Sequence, residues 1–227
     1  MKKTLIWNGR VAENEGLKII SLPPIQLSTP VVNDVDIEDR DGTLTEFKKY
    51  TADTKQVEAD YIGNNPLNVA SWLQGSGEVI FGNIPDRYYK ARINNVVPIS
   101  QVIENQMYNL LIQFYCQPFG YLLEGKEPIT LTSGTTLNNS KASYISLPKI
   151  IIYGTGSCAF TINNRTFNIT NIVGGNITID SDLRGVLENK GQYMTGKFPF
   201  LDIGENNVSW TGTGVTKVDI IPNWRCL

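Results

Sequence analysis

The sequence contains no histidine among its 227 residues. This absence excludes Ser-His-Asp and Cys-His catalysis, zinc sites with histidine ligands and histidine-based pH switching. Cysteine is also scarce, since Cys116, Cys158 and Cys226 lie far apart and no pair has the spacing of a zinc ribbon or a CxxC motif. We interpret these three residues as reduced thiols in a protein that folds in a reducing cytoplasm.

An excess of positive charge and long apolar runs are missing as well. The formal net charge is −2 at pH 7, whereas a protein that binds duplex nucleic acid needs a strong positive field. No apolar run approaches the length that spans a bilayer. Lys2 and Lys3 are followed by Asn8-Gly9-Arg10 instead of the apolar stretch of a signal peptide. We therefore expect neither a duplex-binding protein nor membrane insertion.

The sequence is instead rich in alternating apolar and polar residues, with breaks at glycine, proline and asparagine. This pattern predicts half-buried strands joined by tight turns. In the C-terminal part of the chain the predicted strands lie within Ser146–Gly154, Ile177–Ser181, Leu201–Gly212 and Val218–Arg225. A single short helix is a candidate there, at Ser181–Leu187.

The N-terminal part also reads as strands, with one change of period. Pro66–Gln74 predicts a helix, because Asn65 is a suitable N-cap, Pro66 fits the first helical position, and three apolar residues share one face. Asp39–Gly42 predicts a hairpin turn. This order indicates a mainly β fold, with an α+β N-terminal domain of antiparallel strands at 1–125 and an all-β domain at 126–227.

Two segments have weak signals for ligand binding. The acidic run Asp34–Asp41 could offer oxygen ligands to calcium, but it lacks the EF-hand pattern, and a solvated or interface-facing strand explains it better. Gly154–Ser157 has the glycines of a phosphate loop, but a strand and not a helix follows it, so we predict a hairpin turn.

Enzymatic and sugar-binding signals are also weak. A hydrolase would need two converging carboxylates, and Glu188, Asp202 and Glu205 have no informative spacing. An aromatic platform for sugar stacking could use Tyr153, Trp210 and Trp224, although core packing explains these residues more simply. We predict no catalytic, cofactor-binding or metal-binding residues.

Several segments in a consistent order resemble the phage distal tail protein (Dit) family of long non-contractile tails that infect Gram-positive bacteria. The matching segments are Asp39–Gly42, Pro66–Leu73, Tyr88–Arg92, Pro148–Gly154, Ile177–Ser181, Gly204–Gly212 and Pro222–Arg225.

The resemblance implies a structural, non-enzymatic hub at the tail tip of a phage or prophage virion, assembled in the host bacterial cytoplasm. The N-terminal domain would be a belt that forms a hexameric ring with a channel for DNA in transit. The C-terminal domain would be a β-sandwich, galectin-like or carbohydrate-module-like. The partners implied are the major tail tube protein, the tail-associated baseplate protein and a receptor-binding protein.

Two alternatives remain at this stage. The C-terminal domain could be a carbohydrate-binding adhesion module for host cell-wall saccharide, or the chain could be a small cell-wall hydrolase. If the chain is a ring protein, it needs exposed strand edges and apolar patches that neighbours cover. The extended segments Leu22–Val32 and Asn94–Asn105 are candidates for reaching the adjacent subunit.

Overall fold

The computed structural model describes residues 3–94 and 97–227. Strands make up 57% of it, and the described residues contain one α-helix, so the mainly β fold is confirmed. The chain divides into two compact units: unit 1 comprises the residues up to Gly120 together with Leu227, and unit 2 comprises Tyr121–Cys226. The sequence-based boundary at Gly125 lies just beyond this division, within the 3₁₀ segment Leu123–Lys126.

Unit 1 is built on one antiparallel sheet with strand order β2-β1-β7-β8-β10-β6-β3, and β9 also pairs with β10. The division between the units falls within β10. The strands are β1 Leu5–Trp7, β2 Arg10–Val11, β3 Leu17–Ser21, β4 Pro30–Asp36, β5 Thr43–Tyr50, β6 Asp53–Ile62, β7 Ser76–Phe81, β8 Arg87–Ile93, β9 Ile99–Ile103 and β10 Met107–Leu122. β4 and β5 form a separate two-stranded sheet.

The core of unit 1 follows from the two-residue period of its strands. In β6, Val57, Ala59 and Tyr61 are buried, and the residues between them face outwards. Trp7 is fully buried, with its ring 5.3 Å from that of Phe114. One sheet face thus supplies a continuous apolar layer.

Helix α1 spans Pro66–Trp72 and packs its apolar side onto this layer. Val69 and Trp72 are buried, and Trp72 Nε1 donates a hydrogen bond to the Trp7 carbonyl at 3.3 Å. The predicted helix and its buried face are therefore present. The predicted cap is not, because the Asn65 side chain makes no capping hydrogen bond, and Pro66 supplies the helix-compatible backbone at the first turn.

Unit 2 consists of two five-stranded antiparallel sheets, with strand orders β11-β20-β13-β16-β17 and β12-β19-β14-β15-β18. Ile150, Ile152 and Ile220 from the first sheet share one buried cluster with Phe160 and Phe167 from the second, which makes the unit a β-sandwich. The strands of these two sheets are β11 Ile129–Leu131, β12 Thr135–Asn139, β13 Lys149–Gly154, β14 Gly156–Ile162, β15 Arg165–Ile172, β16 Asn176–Asp180, β17 Gly185–Val186, β18 Met194–Thr195, β19 Gly204–Thr211 and β20 Val215–Ile221. A last short strand, β21 Arg225–Cys226, belongs to neither sheet and pairs with β10.

Two local predictions in unit 2 are wrong. Gly154–Ser157 is not a hairpin turn, because β13 and β14 belong to different sheets and the segment carries the chain from one to the other. Ser181–Leu187 is not helical. The Asp180 carboxylate accepts hydrogen bonds from the backbone N–H groups of Asp182 and Leu183, which forms a turn, and Arg184 follows with a left-handed φ of 50°.

Candidate assembly surfaces

The hairpin of β4 and β5, here called the arm, is exposed along almost its whole length. Its apolar side chains are solvent-accessible, at 45% for Val32, 42% for Val35, 48% for Leu44 and 48% for Phe47. A two-stranded hairpin is at best marginally stable by itself, and exposed apolar side chains lower that stability further when nothing covers them. The arm therefore exposes apolar surface that a single copy of the chain leaves in contact with water.

The arm contacts the rest of unit 1 near its base, which includes Tyr50. The Tyr50 ring packs on Phe47 at 5.0 Å and on Phe119 at 6.0 Å. Ser28 Oγ donates a hydrogen bond to the Pro118 carbonyl just before the arm begins. Beyond these contacts, no residue of 31–49 belongs to the buried core of unit 1.

Both faces of the arm carry apolar groups. Directly opposed residues of an antiparallel pair lie on the same face. Val32 pairs with Phe47 on one face, and Val35 pairs with Leu44 on the other. The ribbon consequently carries one exposed apolar pair on each face.

Charge is divided between the two ends of the arm. Every residue of its tip, 36–42, is exposed, and the tip contains four carboxylates and one guanidinium. Its root contains Lys48 and Lys49, both exposed, and among the described residues neither lysine forms an ion pair. The tip is thus acidic and the root is basic.

The acidic run Asp34–Asp41 forms one strand of the arm and its tip. Asp34 and Asp36 are exposed on the same face, and Asp34 accepts a hydrogen bond from Thr45 Oγ1 at 2.6 Å. Over residues 3–94 and 97–227, no group of three or more acidic or cysteine side chains is arranged to hold a metal ion. The run therefore belongs to an exposed strand surface.

Further exposed apolar groups lie beside the arm and at one end of the sheet. In the segment that precedes the arm, Ile25 is 70% and Leu27 is 79% exposed. At the sheet end, Ile62 and Ile103 are paired with Met107 from opposite sides, which forms a stripe across three strands. Both candidate reaching segments contribute to these surfaces.

The predicted reaching segments are only partly extended loops. Part of Asn94–Asn105 is strand β9, which pairs with β10, and Asn95 and Val96 lie outside the described residues. Leu22–Val32 runs into β4, and Asn83 Nδ2 anchors it by donating to the Pro23 carbonyl at 2.8 Å.

The carboxylates considered for hydrolysis have separate partners. Asp202 accepts hydrogen bonds from Arg165 at 2.6 Å and Asn163 at 2.8 Å, which fixes the loop before β19. Glu188 is 2.6 Å from Lys190, and Glu205 is exposed on β19. These contacts are those of surface ion pairs and a turn-stabilising network.

The aromatic residues considered for sugar stacking also have separate roles. Trp224 is buried at 4% exposure in the core of the sandwich. Trp210 stacks on Phe160, with ring centroids 6.0 Å apart and parallel planes. Tyr153 lies under the Lys217 ammonium at 4.2 Å. The three rings do not form a shared exposed platform.

Asp219 and Cys116 are buried groups whose pKa values depart from their ordinary values. Burial alone would raise the pKa of Asp219, but hydrogen bonds from Thr130 Oγ1 at 2.7 Å and Lys217 Nζ at 3.1 Å, with the lysine charge, lower it. Burial raises the pKa of the Cys116 thiol to about 12, although the nearby charge of Lys55 opposes this. Both groups are structural, since each lies within a packed sheet.

Comparison with known proteins was informative only at the level of structure. No protein-family model and no curated protein sequence matches the chain. The fold is similar to that of the SPP1 Dit (gp 19.1) protein, which is described as a paradigm of the hub adsorption apparatus in phages that infect Gram-positive bacteria. The TM-score is 0.71 at 13% identity, over 97% of this chain and 98% of that chain.

A second similar structure is a chain of the phage P2 baseplate in its activated conformation with Ca. The TM-score is 0.55 at 10% identity, over 97% of each chain. None of the helices in the described ranges is long and apolar enough to cross a bilayer. Because the likeness to SPP1 Dit covers almost the whole of both chains, this protein shares the fold of that structure.

Proposed function

We propose that this protein is a structural, non-enzymatic hub of a phage or prophage tail, and that six copies form a ring at the tail tip. The ring would join the tail tube to the tail-associated and receptor-binding components. Its central channel would let DNA pass. Unit 1 would form the ring, and unit 2 would lie outside it as a sandwich available to other baseplate proteins.

The observation that carries this proposal is the exposed arm. A folded monomer has little reason to keep four large apolar side chains accessible on a two-stranded ribbon outside its core. A neighbouring copy that covers the ribbon would remove this apolar surface from water and would order the arm at the same time. The likeness to SPP1 Dit supports a tail-hub role for such an assembly.

The charge balance supports a channel that does not retain DNA. A formal net charge of −2 gives the chain no overall positive field to hold phosphates. DNA could therefore move through a ring of this protein without the strong counterion-release affinity of a binding protein.

Imaging of the purified full-length chain tests the proposal. We expect negative-stain class averages to show a ring with six-fold symmetry and an open centre. A second sample, mixed with the cognate tail tube protein, should show the ring stacked on one end of the tube. Rings of another symmetry would overturn the hexamer, and monomers alone in both samples would overturn the hub role.

A further inference from the structure

We propose that the arms of adjacent copies pack on each other, with the acidic tip of one arm on the basic root of the next. This inference rests on the proposed ring and identifies the contact that closes it. The partner that covers the exposed arm is thus a second copy of this chain.

Charge complementarity is the first observation behind this contact. The tip carries Asp36, Glu38, Asp39 and Asp41 against the single cation Arg40, and the root carries Lys48 and Lys49. No ion pair within the described part of the chain involves any of these residues. Within one arm the two ends are separated by roughly 20 Å of strand, so they cannot neutralise each other.

The distribution of apolar side chains is the second observation. Val32 and Phe47 lie on one face of the ribbon, and Val35 and Leu44 lie on the other. All four are between 42% and 48% exposed. A ribbon that is apolar on both faces can be covered from both sides, which is what an arm between a preceding and a following neighbour requires.

The pairing of unlike ends gives the contact its geometry. Tip and root are different surfaces, so each copy uses one surface towards the copy before it and another towards the copy after it. Such a heterologous contact generates a closed ring when the rotation between copies closes. A contact between like surfaces would give a two-fold dimer instead.

The free strand edges permit an additional hydrogen-bonded contact. β4 pairs only with β5 in the described structure, so each strand of the arm has one open edge. Open edges readily accept a strand from another chain. Arms that are shifted along each other by tip-to-root pairing could therefore also share backbone hydrogen bonds.

Charge reversal tests the contact directly. The tip-reversed variant carries Glu38→Lys and Asp41→Lys, and the root-reversed variant carries Lys48→Glu and Lys49→Glu. Asp39 is left unchanged because its φ of 62° disfavours most side chains. In each variant alone the tip and the root have the same net sign, so we expect its self-association to weaken by about tenfold or more. Native mass spectrometry and sedimentation velocity would measure the assembly state.

Mixing the two variants is the decisive step. A positive tip can pack on a negative root, and a negative tip on a positive root, so an equimolar mixture should recover assemblies in which the two variants alternate. A matched control carries Lys197→Glu and Glu205→Lys on exposed positions of unit 2, and it should assemble like the wild type. Circular dichroism would verify that all variants remain folded.

The outcomes separate this contact from the ring itself. If wild type forms rings and both reversed variants also form them at the wild-type concentration, the tip-to-root contact is wrong and the ring stands. If neither variant assembles alone and the equimolar mixture does not assemble either, charge pairing between tip and root is again wrong. If wild type stays monomeric at all concentrations, both alone and with the tail tube protein, the ring and the contact are both overturned.

Discussion

At the residue scale, Asp219 is the carboxylate whose surroundings most clearly favour its charged form. It is 8% exposed on β20, and Thr130 and Lys217 donate hydrogen bonds to its two oxygens. Its folded-state pKa lies below the ordinary value of 3.8. The stability it contributes is therefore fully present above that value and is lost as the pH falls through the folded-state pKa.

Replacing this carboxylate should reduce stability at neutral pH and matter little in acid. We expect Asp219→Asn to lower the free energy of unfolding by about 1 kcal/mol at pH 7, the typical net value of one such hydrogen bond. The difference from wild type should shrink as the pH falls through the folded-state pKa of Asp219, because the wild-type carboxyl group then becomes neutral. Urea unfolding at pH 7 and in acid, at one protein concentration, measures this.

A matched control uses the exposed Glu205 on β19. Glu205→Gln should change the free energy of unfolding by less than about 0.5 kcal/mol at either pH, as surface substitutions usually do. An Asp219→Asn effect of equal size at pH 7 and in acid would contradict the assignment, because it would indicate lost packing instead of lost charge stabilisation.

The cysteines give a second residue-scale prediction. All three thiols are free and buried, and burial raises the pKa of Cys116 to about 12. Because the thiolate is the reactive form, we expect almost no reaction with a disulfide reagent at pH 8 in the native state. In denaturant all three should react. Rapid labelling of the native protein would show that a cysteine lies in an accessible segment, against the structure.

At the element scale, the corner between the two sheets of the sandwich depends on Gly154. Its φ is 145°, and a Cβ there would lie 2.0 Å from the carbonyl oxygen of Gly214. Gly156 also has a positive φ, 74°, but a Cβ there would meet nothing within 4 Å. An alanine at Gly156 would therefore add backbone strain alone. An alanine at Gly154 would add backbone strain and a collision of its Cβ with the backbone of Gly214.

Alanine at these two positions should therefore differ in effect. Gly156→Ala should cost about 1 kcal/mol of stability, the value for a left-handed non-glycine residue. Gly154→Ala should cost clearly more, because the collision with backbone cannot be relieved by a side-chain rotation. Thermal unfolding of both variants measures the difference. Equal melting temperatures would mean that the corner does not bring Gly154 against Gly214.

The arm provides the other element-scale prediction. Replacement of residues 31–49 by a short glycine-serine linker between Pro30 and Tyr50 removes no core residue, and these two residues are paired neighbours. We expect the variant to fold with a stability within about 1 kcal/mol of the wild-type monomer and to lose assembly. Size-exclusion chromatography with light scattering measures both proteins. An arm-less variant that still forms the full assembly would remove the arm from the interface.

The limits of prediction from sequence are also clearest at the element scale. Alternation located the strands well, because the two-residue period is a local property, and Pro66 marked the start of α1. The helix predicted at Ser181–Leu187 failed because the Asp180 side chain competes for backbone N–H groups. The turn at Gly154–Ser157 failed because membership of a sheet depends on distant strands.

The candidate assembly surface was predictable only in part. The sequence indicated that the acidic run lies on an exposed strand and that Asp39–Gly42 turns a hairpin. It could not distinguish the apolar alternation of β4 and β5 from that of a half-buried strand such as β13, although Val32 is exposed and Ile152 is fully buried. Burial depends on what packs against a strand, which the pattern of one strand does not contain.

At the scale of the whole molecule, the features of the two units favour different roles. Unit 1 carries the arm, with its uncovered apolar side chains. Unit 2 is a sandwich whose aromatic residues pack in its core or against single neighbours. We therefore expect assembly of the ring to depend on unit 1. We expect unit 2 to provide surface that contacts other baseplate proteins.

The number of copies in the native particle tests the central claim most directly. Native mass spectrometry of the full-length wild-type chain, compared with the variant that lacks residues 31–49, should give a six-copy particle for the wild type and a monomer for the variant. A wild-type chain that remains a single copy up to high concentration, or an arm-less chain that still forms the six-copy particle, would contradict the account.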